Sequence, residues 1–361
     1  MKKILSLVII GSMIATMAAC SGGSKPAETT AAPAETEAPA AEAPAAEAPE
    51  AEASAEISVD PADYVMGTGS TGGTYFALGG AMANAINNQL APYKITITAQ
   101  STGASVENIN LMHAGEMDLG IAMNNVAADS YAGTGAFADT GKIEDVKAIG
   151  VVYNEVYQIV ANANTNAKNV EDLKGLKIAI GPAGSGTLGL SQKVFTAAGI
   201  DPDKDIQPQS DSFGDAATKM QDGHIDAACN VLAVPASSII EMTTSMKLAY
   251  VNISDEILAE IQKDAPYFTR KVIPAGTYPD QEEDCNTITC KAVLYCRADL
   301  PDDVVYLITK AFYETGEEVA AAHATGKEIQ LEGCLEGVTT PIHPGAKRYF
   351  EEQGIEVPDN G

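Results

Sequence analysis

The sequence predicts an α/β fold with two lobes of like construction joined by crossing strands. Three observations predict it: apolar strands alternate with helices, the order strand, glycine turn, helix occurs once in each half, and long apolar strand regions lie between the halves. Alternation of this kind is typical of a parallel or mixed sheet with helices on both faces. A single continuous domain is the alternative interpretation.

The first half of the folding region begins with a short apolar strand in "DYVMGTG". The next segment, "TYFALGGAMANAINNQL", has the apolar spacing of a helix, and "KITITAQ" alternates with the period of a strand. A second helix and a second strand are predicted in "SVENINLMHAGEMD" and "LGIAMN". The apolar run "VKAIGVVYNEVYQIVAN" follows, and we predict that it crosses between the lobes around residues 150–160.

The second half repeats this order. A short helix, an apolar strand and a glycine turn are predicted in "VEDLKGLKIAIGPAGSGT", followed by a helix in "LSQKVFTAAGI" that stops at a glycine. "FGDAATKMQDGHIDAACNVL" predicts another helix and strand, and Pro235 is predicted to begin the next helix. A second crossing strand is predicted in "NTITCKAVLYCR", and helices at about 301–322 and 343–354 are predicted to return to the first lobe.

The N-terminal segment has the pattern of an export signal. Basic residues at Lys2 and Lys3 precede an apolar run to about Ala19, and Cys20 follows small residues. We predict cleavage before Cys20 and acylation of its thiol, which gives an extracytoplasmic protein lipid-anchored to the cell membrane; a secreted protein cut elsewhere in this region is the alternative. The predicted boundaries are a signal peptide at 1–19, the lipidated Cys20 with a disordered Ala/Pro/Glu tether at 20–56, lobe 1 at 57–157 plus 287–361, and lobe 2 at 158–286.

The composition excludes several classes of function. The formal net charge is −27 at pH 7, so a polyanion would be repelled and nucleic acid is not a predicted partner. The four histidines include no pair with metal-ligand spacing, and no nucleophile lies in a recognisable catalytic setting, so we predict neither a metal site nor an enzyme. Three cysteines on or near one strand are interpreted as small apolar packing residues: Cys285, Cys290 and Cys296.

Two glycine turns, "GTGSTG" at 67–72 and "GSGTLG" at 184–189, fit the pattern G-x-G-x-x-G of dinucleotide-binding proteins. That site needs an acidic residue about 20 positions later, at the end of the next strand. The strand after the first turn ends in Gln100, and the acids after the second turn lie in a turn themselves. Neither turn is followed by Lys-Ser or Lys-Thr, so a phosphate-binding loop is also excluded. We therefore predict no nucleotide and no other cofactor.

Both turns lie between an apolar strand and the first turn of a helix. Backbone N–H groups at that position are unpaired and the helix dipole is positive, which suits an anion. The interpretation without a ligand is two tight connections with helix caps. Two such turns, one in each predicted lobe, favour a small acid bound between the lobes. The hydroxyl groups that could add donors belong to Ser70, Thr71, Thr74, Ser185 and Thr187.

Six segments carry a resemblance to a known family: "GTGSTGGTYFALGGAMANAIN", "STGASVENINLMHAGEMDLGIAMNN", "VEDLKGLKIAIGPAGSGT", "DGHIDAA", "GTYPDQEEDCNTI" and "PIHPGAKRYFEEQGI". Together they resemble the TAXI class of solute-binding receptors of tripartite (TRAP) secondary transporters, from about residue 63 to 357. The resemblance implies a two-lobed periplasmic-binding-protein fold of type II with a central cleft. It also implies capture of a small solute and delivery to an ion-driven permease.

Similar receptors are linked to amino acids such as glutamate or glutamine and to dicarboxylates such as 2-oxoglutarate. The partners implied are therefore a small anionic or zwitterionic solute, a TRAP-type permease and, through the lipid anchor, the membrane, with the receptor itself a monomer. An extracellular enzyme on the same scaffold, or a surface protein without a small ligand, is the alternative. Carried onto this chain, the implied contacts are Ser70, Thr71, Gly72, Gly73, Tyr75, Thr102, Gly103, Ala104 and Asn124 in the first lobe and Gly184, Ser185, Gly186 and Thr187 in the second.

The segment "CNVLAVP" departs from the family pattern, which usually has a small-residue and glycine turn before this proline. Asn230 to Pro235 would then form a differently shaped wall of the cleft. This departure bears on which solute is bound, not on the class of protein.

Overall fold

The structure is a computed structural model that describes residues 57–358. Within that range, ten strands form one mixed sheet in the order β2-β1-β3-β10-β4-β7-β5-β6, with β8 paired to β4 and β9 paired to β10. The strands are β1 Ala62–Gly67, β2 Ile95–Gln100, β3 Leu119–Met123, β4 Val146–Asn162, β5 Lys177–Ala179, β6 Gln207–Gln209, β7 Ala227–Leu232, β8 Leu248–Val251, β9 Thr269–Ile273 and β10 Cys285–Arg297.

Helices connect most of these strands. They are α1 Thr74–Leu90, α2 Ser105–His113, α3 Asn124–Ala132, α4 Gly186–Ala197, α5 Phe213–Gln221, α6 Ser237–Thr243, α7 Asp255–Gln262, α8 Asp302–Glu314, α9 Gly316–Ala322 and α10 Pro344–Glu352. None of the described helices is both long and apolar enough to cross a membrane.

The sheet has a parallel set of strands on either side of a long antiparallel pair. Strand β1 pairs in parallel with β2 and β3, and β5 pairs in parallel with β6 and β7. Between these sets, β4 and β10 pair with each other; β4 also pairs with β7 and β10 also pairs with β3. The two long strands therefore pass from one parallel set to the other. The predicted α/β class with crossing strands is confirmed.

In each parallel set, an aspartate directly before one strand accepts a hydrogen bond from the neighbouring strand. The Asp118 carboxylate accepts a hydrogen bond from the Val65 N–H at 2.9 Å, and the Asp226 carboxylate accepts one from the Lys177 N–H at 2.9 Å. These are the acidic turns that precede β3 and β7. Strand β1 runs parallel to β3, and β5 runs parallel to β7. The glycine turns after β1 and β5 therefore lie at equivalent places, at the carboxyl ends of the parallel strands.

Apolar side chains from both crossing strands fill the core. Tyr153 of β4 and Leu294 of β10 belong to a buried cluster that also contains Phe312 of α8 and Phe350 of α10. The predicted packing cysteines Cys285, Cys290 and Cys296 are buried, as are Cys229 and Cys334, and all five have free thiols. The predicted C-terminal helices are thus held against the strands of the first half of the chain by close apolar packing.

Two predictions of helix boundaries are wrong in detail. Pro235 follows a cis peptide bond, and the helix predicted to begin there begins at Ser237 instead. The single helix predicted at 301–322 is two helices, α8 and α9, which meet at Thr315. The predicted signal peptide at 1–19, lipidated Cys20 and tether at 20–56 lie outside the described residues, and the division of the rest into two lobes stays a prediction.

Candidate functional site

The first glycine turn joins β1 to α1 and is held against the end of β2. Both the N–H and the hydroxyl of Thr68 donate to the Gln100 carbonyl, at 2.9 and 2.7 Å. A side chain at Gly67 could not be accommodated, because a Cβ there would lie 2.4 Å from Asn108 Oδ1. The helix that follows is capped by Gly73, which offers no side-chain hydrogen bond. The turn thus leaves the N-terminus of α1 available to another partner.

The second glycine turn joins β5 to α4 and uses its polar atoms internally. The Ser185 hydroxyl accepts a hydrogen bond from the Leu188 N–H at 3.2 Å and donates one to the Pro182 carbonyl at 2.6 Å. Gly181 has a φ of +116°, a conformation that side chains rarely adopt. Ser185 is therefore the N-cap of α4, and its proton is already engaged.

Each turn contacts an element of the other half of the chain across the space between them. The Gly184 carbonyl accepts hydrogen bonds from the N–H groups of Val106 and Glu107 at the start of α2, at 3.0 and 3.1 Å. A Cβ at Gly103 would lie 2.5 Å from the Ala183 carbonyl oxygen. On the other side, the Gly214 N–H donates to the Thr71 carbonyl at 3.3 Å. These contacts close the space between the turns.

A small cavity lies between the turns. Its volume is about 20 Å³, about the room that one water molecule needs, whereas sites for small organic ligands usually measure hundreds of Å³. A solute of several heavy atoms therefore fits only after the two turns move apart. The lining residues are Gly69, Ser70, Gly73, Thr74, Tyr75, Ala104, Ser105, Met123, Glu155, Ser185, Gly186, Thr187, Phe213 and Val231.

The structure brings most of the predicted contacts to this cavity and places the others beside it. Ser70, Gly73, Thr74, Tyr75, Ala104, Ser185, Gly186 and Thr187 line the cavity, whereas Thr71, Gly72, Thr102, Gly103, Asn124 and Gly184 do not.

Two of the residues outside the cavity wall hold neighbouring segments. The Thr102 hydroxyl donates to Asn108 Oδ1 at 2.7 Å, which fixes the loop after β2. The Asn124 side chain donates to the Gly337 carbonyl at 2.8 Å and accepts from the Lys291 N–H at 3.2 Å. In this closed arrangement, Thr102 and Asn124 support the site without facing the cavity.

The Ser70 hydroxyl is the free polar group of the first turn. Its oxygen is buried and has no hydrogen-bond partner among the described residues. A buried hydroxyl without a partner costs on the order of 1–3 kcal/mol. A solute that hydrogen-bonds to Ser70 would recover that free energy.

Glu155 is a residue of the cavity wall that the sequence reasoning missed. It lies on β4 and is 2% exposed. Its Oε2 accepts a hydrogen bond from the Tyr75 hydroxyl at 3.0 Å, and its Oε1 accepts one from the Tyr153 hydroxyl at 3.3 Å. Burial raises the pKa of Glu155 to about 8, against the opposing effect of the two hydrogen bonds. Its signal in the sequence is a single acid in the apolar middle of a predicted crossing strand.

No basic side chain offsets the charge of Glu155 in the described part of the chain. The ion pairs found between residues 57 and 358 do not include it. The nearest sulfur, Cys290 Sγ, is 4.0 Å from Oε2, and burial also raises the pKa of that thiol. The cavity therefore combines one buried acidic group with hydroxyls and two helix N-termini.

A comparison with protein families matches residues 66–354 of this chain to one family model. The chain belongs to the NMT1-like family. Solved structures similar to this NMT1-like protein include the substrate-binding protein of an amino acid ABC transporter, with 16% identity, 72% of this chain and 97% of that chain covered, and a TM-score of 0.44.

Two further solved structures are similar to this NMT1-like protein. The alkanesulfonate-binding protein SsuA from Xanthomonas axonopodis pv. citri, bound to MOPS, has 16% identity, with 81% of this chain and 85% of that chain covered and a TM-score of 0.46. A binding protein component of an ABC phosphonate transporter from Pseudomonas aeruginosa has 13% identity, with 75% and 81% covered and a TM-score of 0.49. These likenesses concern the fold alone.

A second, wider cavity of the NMT1-like protein adjoins the first. It has a volume of about 600 Å³ and lies between α3, α4 and α7. Ser185 and Gly186 line both cavities. Its wall includes Asn125, whose buried Oδ1 has no hydrogen-bond partner among residues 57–358. The wider cavity gives the small one a neighbouring space that is large enough for an organic solute.

Proposed function

We propose that this protein is an extracytoplasmic receptor that binds a small organic acid or amino acid between its two glycine turns. The observation that carries the proposal is the meeting of the two turns around one cavity, although they are far apart in the sequence. An uncapped helix N-terminus, an unpartnered hydroxyl and a buried carboxyl group converge there. Such a combination of a few polar groups in a mainly apolar space is typical of ligand sites.

The closed state of the cleft depends on few contacts between each turn and the opposite half of the chain. The hydrogen bonds accepted by the Gly184 and Thr71 carbonyls are the polar ones described above. Strands β4 and β10 lie between the two parallel sets, pair with each other and are suited to act as the hinge. A solute that contacts both turns would shift the protein toward the closed form in proportion to its preference for that form.

We also infer that the receptor is a lipid-anchored monomer that delivers its solute to a TRAP-type permease. The pattern around Cys20 supports the anchor, and the six family-like segments support the permease. Uptake by vesicles that contain the permease should then depend on an ion gradient and on added receptor. Uptake that requires ATP and ignores the gradient would contradict this part of the proposal.

Thermal unfolding in the presence of candidate solutes tests the binding function. Protein stripped of retained solute is mixed with each of the common L-amino acids, their 2-oxo acids and short dicarboxylates. A bound solute at 100 times its Kd stabilises the folded form by about 2.7 kcal/mol and raises Tm. No rise with any compound, together with no solute retained in gently purified protein by mass spectrometry, would contradict the proposal. Chemical conversion of a solute would instead support an enzyme.

A further inference from the structure

The wider cavity between α3, α4 and α7 adjoins the space in which the solute is proposed to bind but is distinct from it. Both halves of the chain build its wall: α3 and the turn Gly135–Phe137 belong to the first half, and α4 and α7 to the second. Its volume is about 600 Å³, within the usual range of roughly 300–1,000 Å³ for small-molecule sites. The cavity between the glycine turns, at about 20 Å³, cannot hold the same molecule. The wider cavity is therefore a separate space for a ligand of its own.

Apolar side chains form a large part of the wall of the wider cavity. They belong to one packed cluster of the core: Val126, Phe137 and Ile261 are buried, and Val106 and Leu188 are partly buried against that cluster. A hydrocarbon group that covers these side chains leaves water, which is favourable in proportion to the apolar area removed from water. The cavity thus favours a ligand with an apolar chain.

Two polar side chains of α3 add hydrogen-bond acceptors to this wall. Asn125 is 5% exposed, and its Oδ1 has no hydrogen-bond partner among the described residues. Asp129 lies one turn later, on the same face of the helix, and is half-buried. Its carboxylate accepts a hydrogen bond from the Thr134 hydroxyl at 3.2 Å, and burial raises its pKa. Because the Asn125 oxygen lacks a donor and a carboxylate can accept several, these two groups suit a ligand that carries N–H groups.

The charges on the cavity wall favour a cation. The carboxylates of Asp129, Glu260 and Asp264 line it together with one ammonium group, that of Lys193. Glu260 forms an ion pair with Lys263, whereas the other three charged groups form none among residues 57–358. Two carboxylates without an ion pair therefore stand against one ammonium group. The net charge of the whole chain, −27, also attracts a cation and repels an anion.

We propose that the wider cavity is a second binding site, which takes a small amine with an apolar chain. The ammonium group donates to Asn125 Oδ1 and to the Asp129 carboxylate, and the chain covers Phe137 and its apolar neighbours. An anionic molecule held by Lys193 is the competing ligand, and the excess of carboxylates opposes it. The inference concerns a site of its own and does not depend on which solute lies between the glycine turns.

Titration of the ¹⁵N-labelled protein with hexylamine, 1-hexanol and hexanoate tests the inference. The probes have the same number of carbon atoms and differ in the charge of the head group, so the comparison isolates that charge. We expect hexylamine to shift the amide signals of Asn125 and Gly189 and to bind about 10-fold more tightly than 1-hexanol, with hexanoate weaker still. Molecules of this size bind weakly, so the titration extends to about 20 mM.

Three variants locate the amine. Asp129→Asn keeps an acceptor for Thr134 but removes the charge, and should weaken hexylamine binding by about 10-fold. Gly189→Leu adds a side chain at the cavity wall, where a Cβ would meet no other atom within 4 Å, and should weaken the binding of hexylamine and of 1-hexanol alike. Glu332→Gln removes an exposed carboxylate outside the cavity wall and should bind hexylamine like the wild type. Thermal unfolding checks that each variant is folded.

Several outcomes would overturn the inference. One is a loss of hexylamine binding in Glu155→Gln but not in Asp129→Asn, which would place the amine in the small cavity. Others are equally tight binding of 1-hexanol or hexanoate, and no shift with hexylamine at the end of the titration. The receptor function survives all of these results, because it is tested with amino acids and dicarboxylates. Conversely, a protein that binds hexylamine at Asp129 but none of those solutes keeps the second site and loses the receptor function.

Discussion

The two glycine turns share a sequence pattern but differ in what they leave free. In the first turn, Gly73 provides no side-chain cap for α1, and the buried Ser70 hydroxyl has no partner in the described chain. In the second turn, Ser185 caps α4 and donates its proton to the Pro182 carbonyl. The same order of strand, turn and helix can therefore leave different groups available. The first turn leaves polar groups without a partner in the described chain, and the second uses its polar groups to stabilise itself.

The scaffold beneath the turns is alike, so the difference is local. Asp118 and Asp226 make equivalent hydrogen bonds to the neighbouring parallel strand, both at 2.9 Å. The helix after the first turn also places Tyr75 against Glu155, whereas the helix after the second turn has Thr187 in that position. The acidic group of the cavity is therefore linked to the first turn.

The largest expected effect is a change in the free energy of unfolding with pH, caused by Glu155. The pKa of Glu155 is raised to about 8 in the folded protein from an ordinary value of 4.5. The folded state therefore binds more protons than the unfolded state between these values, and stability falls as pH rises through that window. From pH 5 to pH 8, this group should cost the ligand-free protein on the order of 3 kcal/mol.

Unfolding by urea at pH 5 and pH 8 measures this cost. Glu155→Gln should lose about 3 kcal/mol less than the wild type over the same range, since its amide does not titrate. Glu318→Gln, a change at an exposed residue of α9, serves as the control and should follow the wild type. Identical pH dependence in Glu155→Gln and the wild-type protein would show that Glu155 is not buried as a titrating group in solution, and the link to the first turn would be lost.

A second prediction tests whether the second turn packs closely against the opposite side of the cleft. A Cβ at Gly186 would lie 2.3 Å from Met123 Sδ and 2.8 Å from Val126 Cγ2, both on the other side of the cleft. Gly186→Ala should therefore oppose closure and weaken solute binding by about 10-fold to 100-fold, as an overpacked contact costs roughly 1–3 kcal/mol. Calorimetry with the solute that raises Tm measures this change.

A glycine on the same helix provides the matched control for this variant. A Cβ added at Gly189 would meet no other atom within 4 Å, so Gly189→Ala should bind normally and stabilise α4 slightly. Normal binding by Gly186→Ala would mean that the turns do not approach this closely in the solute-bound protein.

The alternation of strands and helices, the two turns and the two crossing strands could be predicted from the sequence. Their signals are local: apolar periodicity, and glycines where a strand meets a helix. The position of Glu155 could not be predicted in this way. Its partner Tyr75 is 80 residues away along the chain, and the contact depends on how α1 packs on β4. Only the acid itself, inside an apolar strand, signals the site.

Side-chain roles were also less predictable than positions. Asn124, a predicted solute contact, lies outside the cavity wall, and its amide donates to the Gly337 carbonyl of a segment 213 residues away. Ser185, another predicted contact, lies on the cavity wall, where it caps its own helix. In both cases the side chain hydrogen-bonds to the backbone of the protein itself. The sequence pattern does not show whether such a side chain binds the backbone or a solute.

The smallest expected effect separates the two turns most directly. Ser70→Ala removes a buried hydroxyl that has no partner in the described structure, so Tm should change little, whereas binding should weaken by about 10-fold if the solute is that partner. Ser185→Ala removes a helix cap and should destabilise the protein by about 1 kcal/mol, with a smaller effect on binding. Tm and solute affinity of both variants measure the difference. A reversed result, with Ser70 important for stability and Ser185 for binding, would show that the second turn recognises the solute.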